Sequence, residues 1–176
     1  FKFEYESPII IDSSDQVVIP ISTELLESRK KYSKDGYYVD DFPRYWNVLF
    51  YNRKTGATGL LTRDKIRISR IYVNKGGKYE ERGKTMKNKI IYEIGDIDFN
   101  KDGKLTNRDP EYLFSTESNG ENLSRVSPLN EDLQYFEVVP GSNQILIRTL
   151  RDVNQDSIFS RQDESIWYKA ELIGQE

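Results

Sequence analysis

The sequence predicts an all-β protein of tandem antiparallel sheets, and three observations predict it. Aliphatic and aromatic residues alternate with polar ones in short runs separated by Gly, Asn and Asp turns, the pattern of half-buried strands. The chain repeats internally: Ile90-Ile-Tyr-Glu-Ile94 aligns with Gln144-Ile-Leu-Ile-Arg148, and Glu111-Tyr-Leu-Phe-Ser115 with Ser165-Ile-Trp-Tyr-Lys169, each pair 165 − 111 = 54 residues apart. Helical periodicity is almost missing, with only Thr23 to Lys31 compatible with a couple of turns, or equally with a charged hairpin. A chain of 176 residues, 36% hydrophobic and 12% aromatic, suffices for a single domain over 1–176 with a real core.

A divergent first unit covers about 8–62. Its strands are Val17-Val-Ile-Pro-Ile21, Asn47-Val-Leu-Phe-Tyr51 and, after the Lys54-Thr55-Gly56 turn, Thr58-Gly-Leu-Leu61. A long connection, Glu24 to Arg44, joins the first two. Next, Ile66-Arg-Ile-Ser-Arg-Ile-Tyr-Val73 alternates, turning Ile66, Ile68, Ile71 and Val73 toward a core across an irregularity at Ser69-Arg70. The basic stretch Lys75 to Lys89, with Gly76-Gly77, reads as a solvated loop. Two further units, about 89–128 and 133–173, each run apolar strand, Asp-rich loop, apolar strand. The first of them continues through Ser118-Asn119-Gly120 into Asn122-Leu-Ser-Arg-Val126.

The Asp-rich loops carry the chemistry. In 98–109 the side chains of Asp98, Asn100 and Asp102 occupy positions 1, 3 and 5, the Lys104 carbonyl position 7, Thr106 position 9 and Asp109 position 12. In 152–163 the same places fall to Asp152, Asn154, Asp156, the Ile158 carbonyl, Ser160 and Asp163. Calcium takes six to eight oxygens at roughly 2.3–2.6 Å, and this spacing is that of an EF-hand-type loop. Gly103 fills the sixth position of the first loop, where φ > 0 is free of steric cost, and Ser157 that of the second, so the first ranks as the tighter site. Each loop closes on the shorter Asp rather than Glu, and Glu164 stands ready beside Asp163. The plain alternative is a pair of Asp/Asn turns between strands, which these residues favour on their own account.

The succession of apolar strand, Asp-rich loop, Glu111-Tyr-Leu-Phe-Ser-Thr-Glu-Ser-Asn-Gly120, Asn122-Leu-Ser-Arg-Val-Ser-Pro128 and a following strand resembles blades of TolB-like six-bladed propeller proteins. It resembles also bacterial envelope lipoproteins that place a dockerin-type calcium loop inside each blade. The resemblance implies about three propeller-blade-like sheets. Three units fall short of the four to eight that close a propeller, so a β-sandwich or barrel is the alternative arrangement.

Composition narrows the function classes. The chain has no His and no Cys, so it can build neither Ser-His-Asp nor Cys-His nucleophile systems, and the commonest zinc ligands are missing. Acid pairs at Asp40-Asp41 or Asp12 and Asp15 remain formal carboxylate catalysts, and the chain is expected not to be an enzyme. A net charge of −3 argues against a nucleic-acid partner, and no apolar run is long enough for a transmembrane segment. Asp-closed loops fill at roughly 0.1–1 mM calcium, which points outside the cytoplasm, to the periplasm or cell envelope. The start at Phe1 fits either a removed leader, with lipid anchoring, or truncation. The expectation is a non-catalytic extracytoplasmic module with structural calcium in two loops. The alternative is a carbohydrate- or protein-binding domain whose glycan or protein partner meets a face of Tyr37, Tyr38, Tyr45 and Trp46, although Trp46 beside a strand also suits a core.

Overall fold

A computed structural model describes residues 2–24, 45–76 and 83–172. Among them there is no helix, and every strand pairing is antiparallel. The first sheet runs β1 (Lys2–Tyr5), β3 (Gln16–Glu24), β4 (Asn47–Asn52), β5 (Thr58–Leu60), with β2 (Ile9–Ile10) also paired to β3. The second is β6 (Arg67–Val73), β7 (Lys89–Gly95), β8 (Tyr112–Glu117), β9 (Ser124–Arg125), and the third β10 (Glu131–Val138), β11 (Gln144–Arg151), β12 (Glu164–Glu171). Neighbours in sequence are neighbours in each sheet from β3 onward, as short antiparallel connections dictate. Strand β3 reaches Glu24, so Thr23-Glu24 are extended rather than helical; the rest of that expected helix lies outside the described residues.

The three sheets stack, and the second lies between the other two. Val18, Val48 and Phe50 of the first sheet pack with Ile68, Ile90, Tyr92, Ile94, Tyr112 and Phe114 of the second. From the opposite face of the second sheet, Tyr72, Ile91 and Leu113 pack with Phe136, Val138, Ile145 and Ile147 of the third. This double burial explains a difference in sequence pattern. Strands β7 and β8, covered on both faces, are nearly unbroken apolar runs (Ile-Ile-Tyr, Tyr-Leu-Phe), whereas β11 alternates buried Ile145, Ile147 and Thr149 with exposed Leu146 and Arg148.

Strand β6 joins β7 ahead of the repeat unit and carries the expected irregularity, a register shift between Ile68 and Arg70; Ile66, Ile68 and Val73 are buried, with Ile71 packed beside them. Strand β10 shifts likewise between Leu133 and Tyr135. The first and second sheets are also tied through the main chain by a bridge between Tyr45 and Ile68, with N–H donated each way (3.0 and 2.9 Å). No described helix is long and apolar enough to cross a membrane.

Candidate calcium loops

The two Asp-rich loops connect β7 to β8 and β11 to β12, so each is the tip of a hairpin inside its sheet. They fold alike. Both turn left-handed at the fourth position, Lys101 (φ 59°) and Gln155 (φ 61°), and again at the sixth, Gly103 (φ 83°) and Ser157 (φ 61°). These reversals bring successive main-chain N–H groups round to face the side-chain oxygens at positions 1, 3 and 5.

Most of the main-chain wiring is repeated. The sixth residue donates its N–H to Oδ2 of the first Asp: Gly103 to Asp98 (2.8 Å) and Ser157 to Asp152 (2.9 Å). The fifth donates to Oδ1 of the Asn at position 3: Asp102 to Asn100 (2.9 Å) and Asp156 to Asn154 (3.0 Å). The seventh donates to Oδ1 of position 5: Lys104 to Asp102 (2.9 Å) and Ile158 to Asp156 (2.8 Å). The closing Asp, buried in both loops, is clamped by N–H groups from positions 2 and 9: Phe99 and Thr106 (both 2.9 Å) on Asp109, and Val153 (3.2 Å) and Ser160 (2.7 Å) on Asp163. The hydroxyls at position 9, Thr106 and Ser160, accept N–H from Arg108 and Gln162, each at 3.2 Å.

Three bonds are not shared: Asn100 N–H to Asp109 Oδ1 (3.5 Å) in the first loop, Asn154 Nδ2–H to Asp156 Oδ2 (3.0 Å) in the second, and one at the leading aspartate. Asp98 Oδ1 accepts the Asp102 N–H (3.0 Å), whereas Asp152 Oδ1 is buried with no hydrogen-bond partner. A buried carboxylate oxygen without a donor is costly unless something positive faces it. The donor set fits a hard cation: carboxylate at 1 and 5, amide at 3, carbonyl at 7. Among the described residues no three Asp, Glu, His or Cys side chains converge closely enough to hold a metal by themselves. An ion in either loop would therefore rely on the amide oxygen of Asn100 or Asn154 and the carbonyl of Lys104 or Ile158 as well. Glu164 does not supplement the second loop; it is exposed and pairs with Arg151 (3.5 Å).

The loops sit side by side. Phe99, at position 2 of the first, packs on Phe159, at position 8 of the second, with ring centroids 5.2 Å apart. Between them opens a groove lined by Asn100, Asp102, Asp109, Asp132, Asp156 and Phe159 among others.

Polar anchors at the base of the loops were not foreseen. Arg67, 5% exposed, pairs with Glu111 (2.5 Å) and donates to the Asp109 carbonyl (3.4 Å), while the Glu111 N–H donates to Asp132 Oδ1 (2.8 Å). Burial, with the nearby Glu111 charge, pushes the Asp132 carboxyl up to about 6. On the other side buried Glu131 receives Thr149 Oγ1 (2.6 Å), Arg151 Nε (2.9 Å) and the Tyr168 hydroxyl (2.9 Å). Burial opposes its charge, but these three donors together hold it below the usual carboxylate range. The signal for both anchors was a charged residue abutting each loop, Glu111 two past Asp109 and Arg151 one before Asp152; their partners come from other strands.

The aromatic candidates separate. Tyr45 and Trp46 are half-buried, Tyr45 packing against the core between the first two sheets, and Tyr37 and Tyr38 lie outside the described residues. Asp40-Asp41 lie outside them too, and the exposed Asp12 and Asp15 turn to Ser13 (3.2 Å) and Arg53 (3.5 Å). No family model, curated protein or solved structure matches the chain.

Proposed function

We propose that the chain is a non-catalytic, extracytoplasmic calcium-binding module in which an ion in each of the loops 98–109 and 152–163 fastens a hairpin tip. The observation that carries this reading is the repetition, 54 residues apart, of one loop conformation with left-handed residues at positions 4 and 6 and the same N–H to carboxylate wiring. Turns that merely reverse a chain need not agree in that detail. The partnerless Asp152 Oδ1 adds a site where positive charge is wanted. Three carboxylates in each loop repel one another, and a dication removes that cost, so binding energy becomes folding energy.

The Asp-closed ligand sets suit the calcium concentrations of a periplasm or cell envelope. Antiparallel sheets stacked face to face, with a loop at the same hairpin of the second and third, also support kinship with TolB-like blades. The test is a calorimetric calcium titration of chelator-stripped protein beside Asp98→Ala and Asp152→Ala. Two sites, each lost with its own variant, are expected. No heat, and no calcium effect on melting, would refute the reading.

A further inference from the structure

The sheet edges among the described residues are guarded, with one exception. Charged side chains stand on β1, β6, β9, β10 and β12, register shifts break β6 and β10, and Pro8 precedes β2. Such devices keep an edge from pairing with another chain. Strand β5, Thr58-Gly59-Leu60, closes the first sheet with none of them, and all three residues are exposed.

The main chain of β5 is open to a further strand. Toward β4, the Asn52 N–H donates to the Ala57 carbonyl (2.8 Å) and the Leu61 N–H to the Val48 carbonyl (2.9 Å), and Gly59 lies opposite Phe50 between them. Bonded residues alternate in an antiparallel ladder, so Ala57, Gly59 and Leu61 face β4. The N–H and C=O groups of Thr58 and Leu60 therefore point away from the sheet.

Gly59 is a second, separate observation. Its φ is not left-handed and an added β-carbon would meet no atom within 4 Å, so neither the backbone nor the packing of this chain calls for glycine there. A bare residue inside a strand marks a place where another backbone comes close. Beside it a groove of about 270 Å³ separates β5 from the Asn119-Gly120-Glu121 turn of the second sheet, which is seated on the Phe50 ring. Among the residues lining that groove the only charge is the exposed carboxylate of Glu121. An added strand would extend the row Val18, Phe50, Gly59, and its residue opposite Gly59 would enter the groove beside that carboxylate. A basic side chain is the complement.

We propose that β5 is a peptide-docking edge: an extended segment of a partner protein bonds to Thr58 and Leu60 as one more strand and sets a lysine or arginine over Gly59, against Glu121. This inference is independent of the calcium reading.

The experiment is fluorescence anisotropy of a labelled heptapeptide, Thr-Val-Thr-Lys-Thr-Val-Thr, titrated with the whole chain. Saturable binding below about 1 mM is expected. Changing the central Lys of the peptide to Glu, or Glu121→Lys in the chain, is expected to weaken binding by about fivefold, and the two changes together to restore it. Leu60→Pro removes an outward N–H without breaking a bond to β4, and is expected to weaken binding by about fivefold with near-ultraviolet circular dichroism unchanged. Thr58→Pro is the second variant if Leu60→Pro loses its fold. No binding up to about 1 mM overturns the proposal. So does binding that the proline leaves intact or that ignores both charge changes, which would seat the peptide elsewhere. A chain that dimerises in sedimentation equilibrium through an intact Leu60 N–H also overturns it, because β5 would then pair with its own copy.

Discussion

At their fourth and sixth positions both loops turn left-handed, but the first does so through Lys101 and Gly103 and the second through Gln155 and Ser157. A β-carbon in that region costs about 1–2 kcal/mol, which glycine escapes. The first loop also satisfies both oxygens of its leading aspartate with main-chain N–H groups, whereas the second leaves one oxygen of Asp152 buried and alone. The leading aspartate of the first loop is thus satisfied by the main chain alone. The second carries a strained residue and an unanswered charge, and has more to gain from one. If both loops take the ion proposed for them, one spacing would serve a site the main chain has already ordered and one that the ion completes.

The largest effect should come from calcium itself. At a free concentration a hundredfold above its dissociation constant, a bound ion stabilises by about 2.7 kcal/mol per site. Asp98→Ala and Asp152→Ala should each remove one such increment from the calcium-induced rise in melting temperature. In chelator the two should diverge. Asp98→Ala strands the Gly103 N–H and takes one of two acceptors from the Asp102 N–H, which keeps Asn100, and should cost about 1–2 kcal/mol; Asp152→Ala strands only Ser157 and deletes the partnerless oxygen, and should cost about 1 kcal/mol or less. Equal losses by urea denaturation in chelator would erase the distinction.

Acid should act oppositely on the two anchors. Asp132, which holds Glu111 beyond the first loop, has a folded-state value of about 6 against 3.8 for the free side chain. A raised acid contributes stability that is present in full below the unfolded value and lost as pH rises through about 6, here up to about 3 kcal/mol. Glu131, which holds Arg151 before the second loop, is shifted down, so its contribution is present above the unfolded value and fades only as pH falls below it. Stability of the chelator-treated protein should therefore rise on going from pH 7 to pH 5, and Asp132→Asn should flatten that slope. A wild-type profile identical to that of Asp132→Asn would remove Asp132 from the account.

How much of this was legible in the sequence depended on whether a feature was local. Strands announced themselves where one or both faces are buried: Ile90 to Ile94 and Tyr112 to Phe114 as runs, Gln144 to Arg151 as an alternation, and the shift beyond Ile68 as a break in period. The candidate loop residues were legible because each set lies within twelve consecutive residues. Features assembled from distant segments were hidden. Glu131 meets Thr149, Arg151 and Tyr168 only once β10, β11 and β12 pair, and Phe99 meets Phe159 only because the second and third sheets stack. Trp167 reads in sequence as one more strand aromatic; that it faces outward follows from its register with Arg148.

A reciprocal exchange at position 6 isolates the backbone part of the difference. An added β-carbon at Gly103 would meet no atom within 4 Å, so Gly103→Ser tests conformation without a clash. It should destabilise by about 1 kcal/mol, Ser157→Gly should stabilise by about 0.5–1 kcal/mol, and calcium affinity should move the same way at each loop. If Ser157→Gly lowers the melting temperature, the serine is doing something beyond filling a left-handed position.

The smallest effect concerns what the loops share. Phe99 and Phe159 touch at 5.2 Å with their rings tilted by 43°, joining position 2 of one loop to position 8 of the other, and neither residue is a ligand by the spacing argument. Aromatic pairs of this kind contribute about 0.5–1.5 kcal/mol beyond the area they bury. A double-mutant cycle with Phe99→Leu and Phe159→Leu should return a coupling of about 0.5–1 kcal/mol in stability. Measured with and without calcium, the cycle also asks whether the second loop depends on the first. If the contact holds the second loop in register before the ion arrives, the coupling should be larger in chelator, because an ion at Asp152 supplies the same order by itself. A coupling that grows when calcium is added would reverse that dependence and make the ions, rather than the aromatic contact, the source of order between the two hairpin tips.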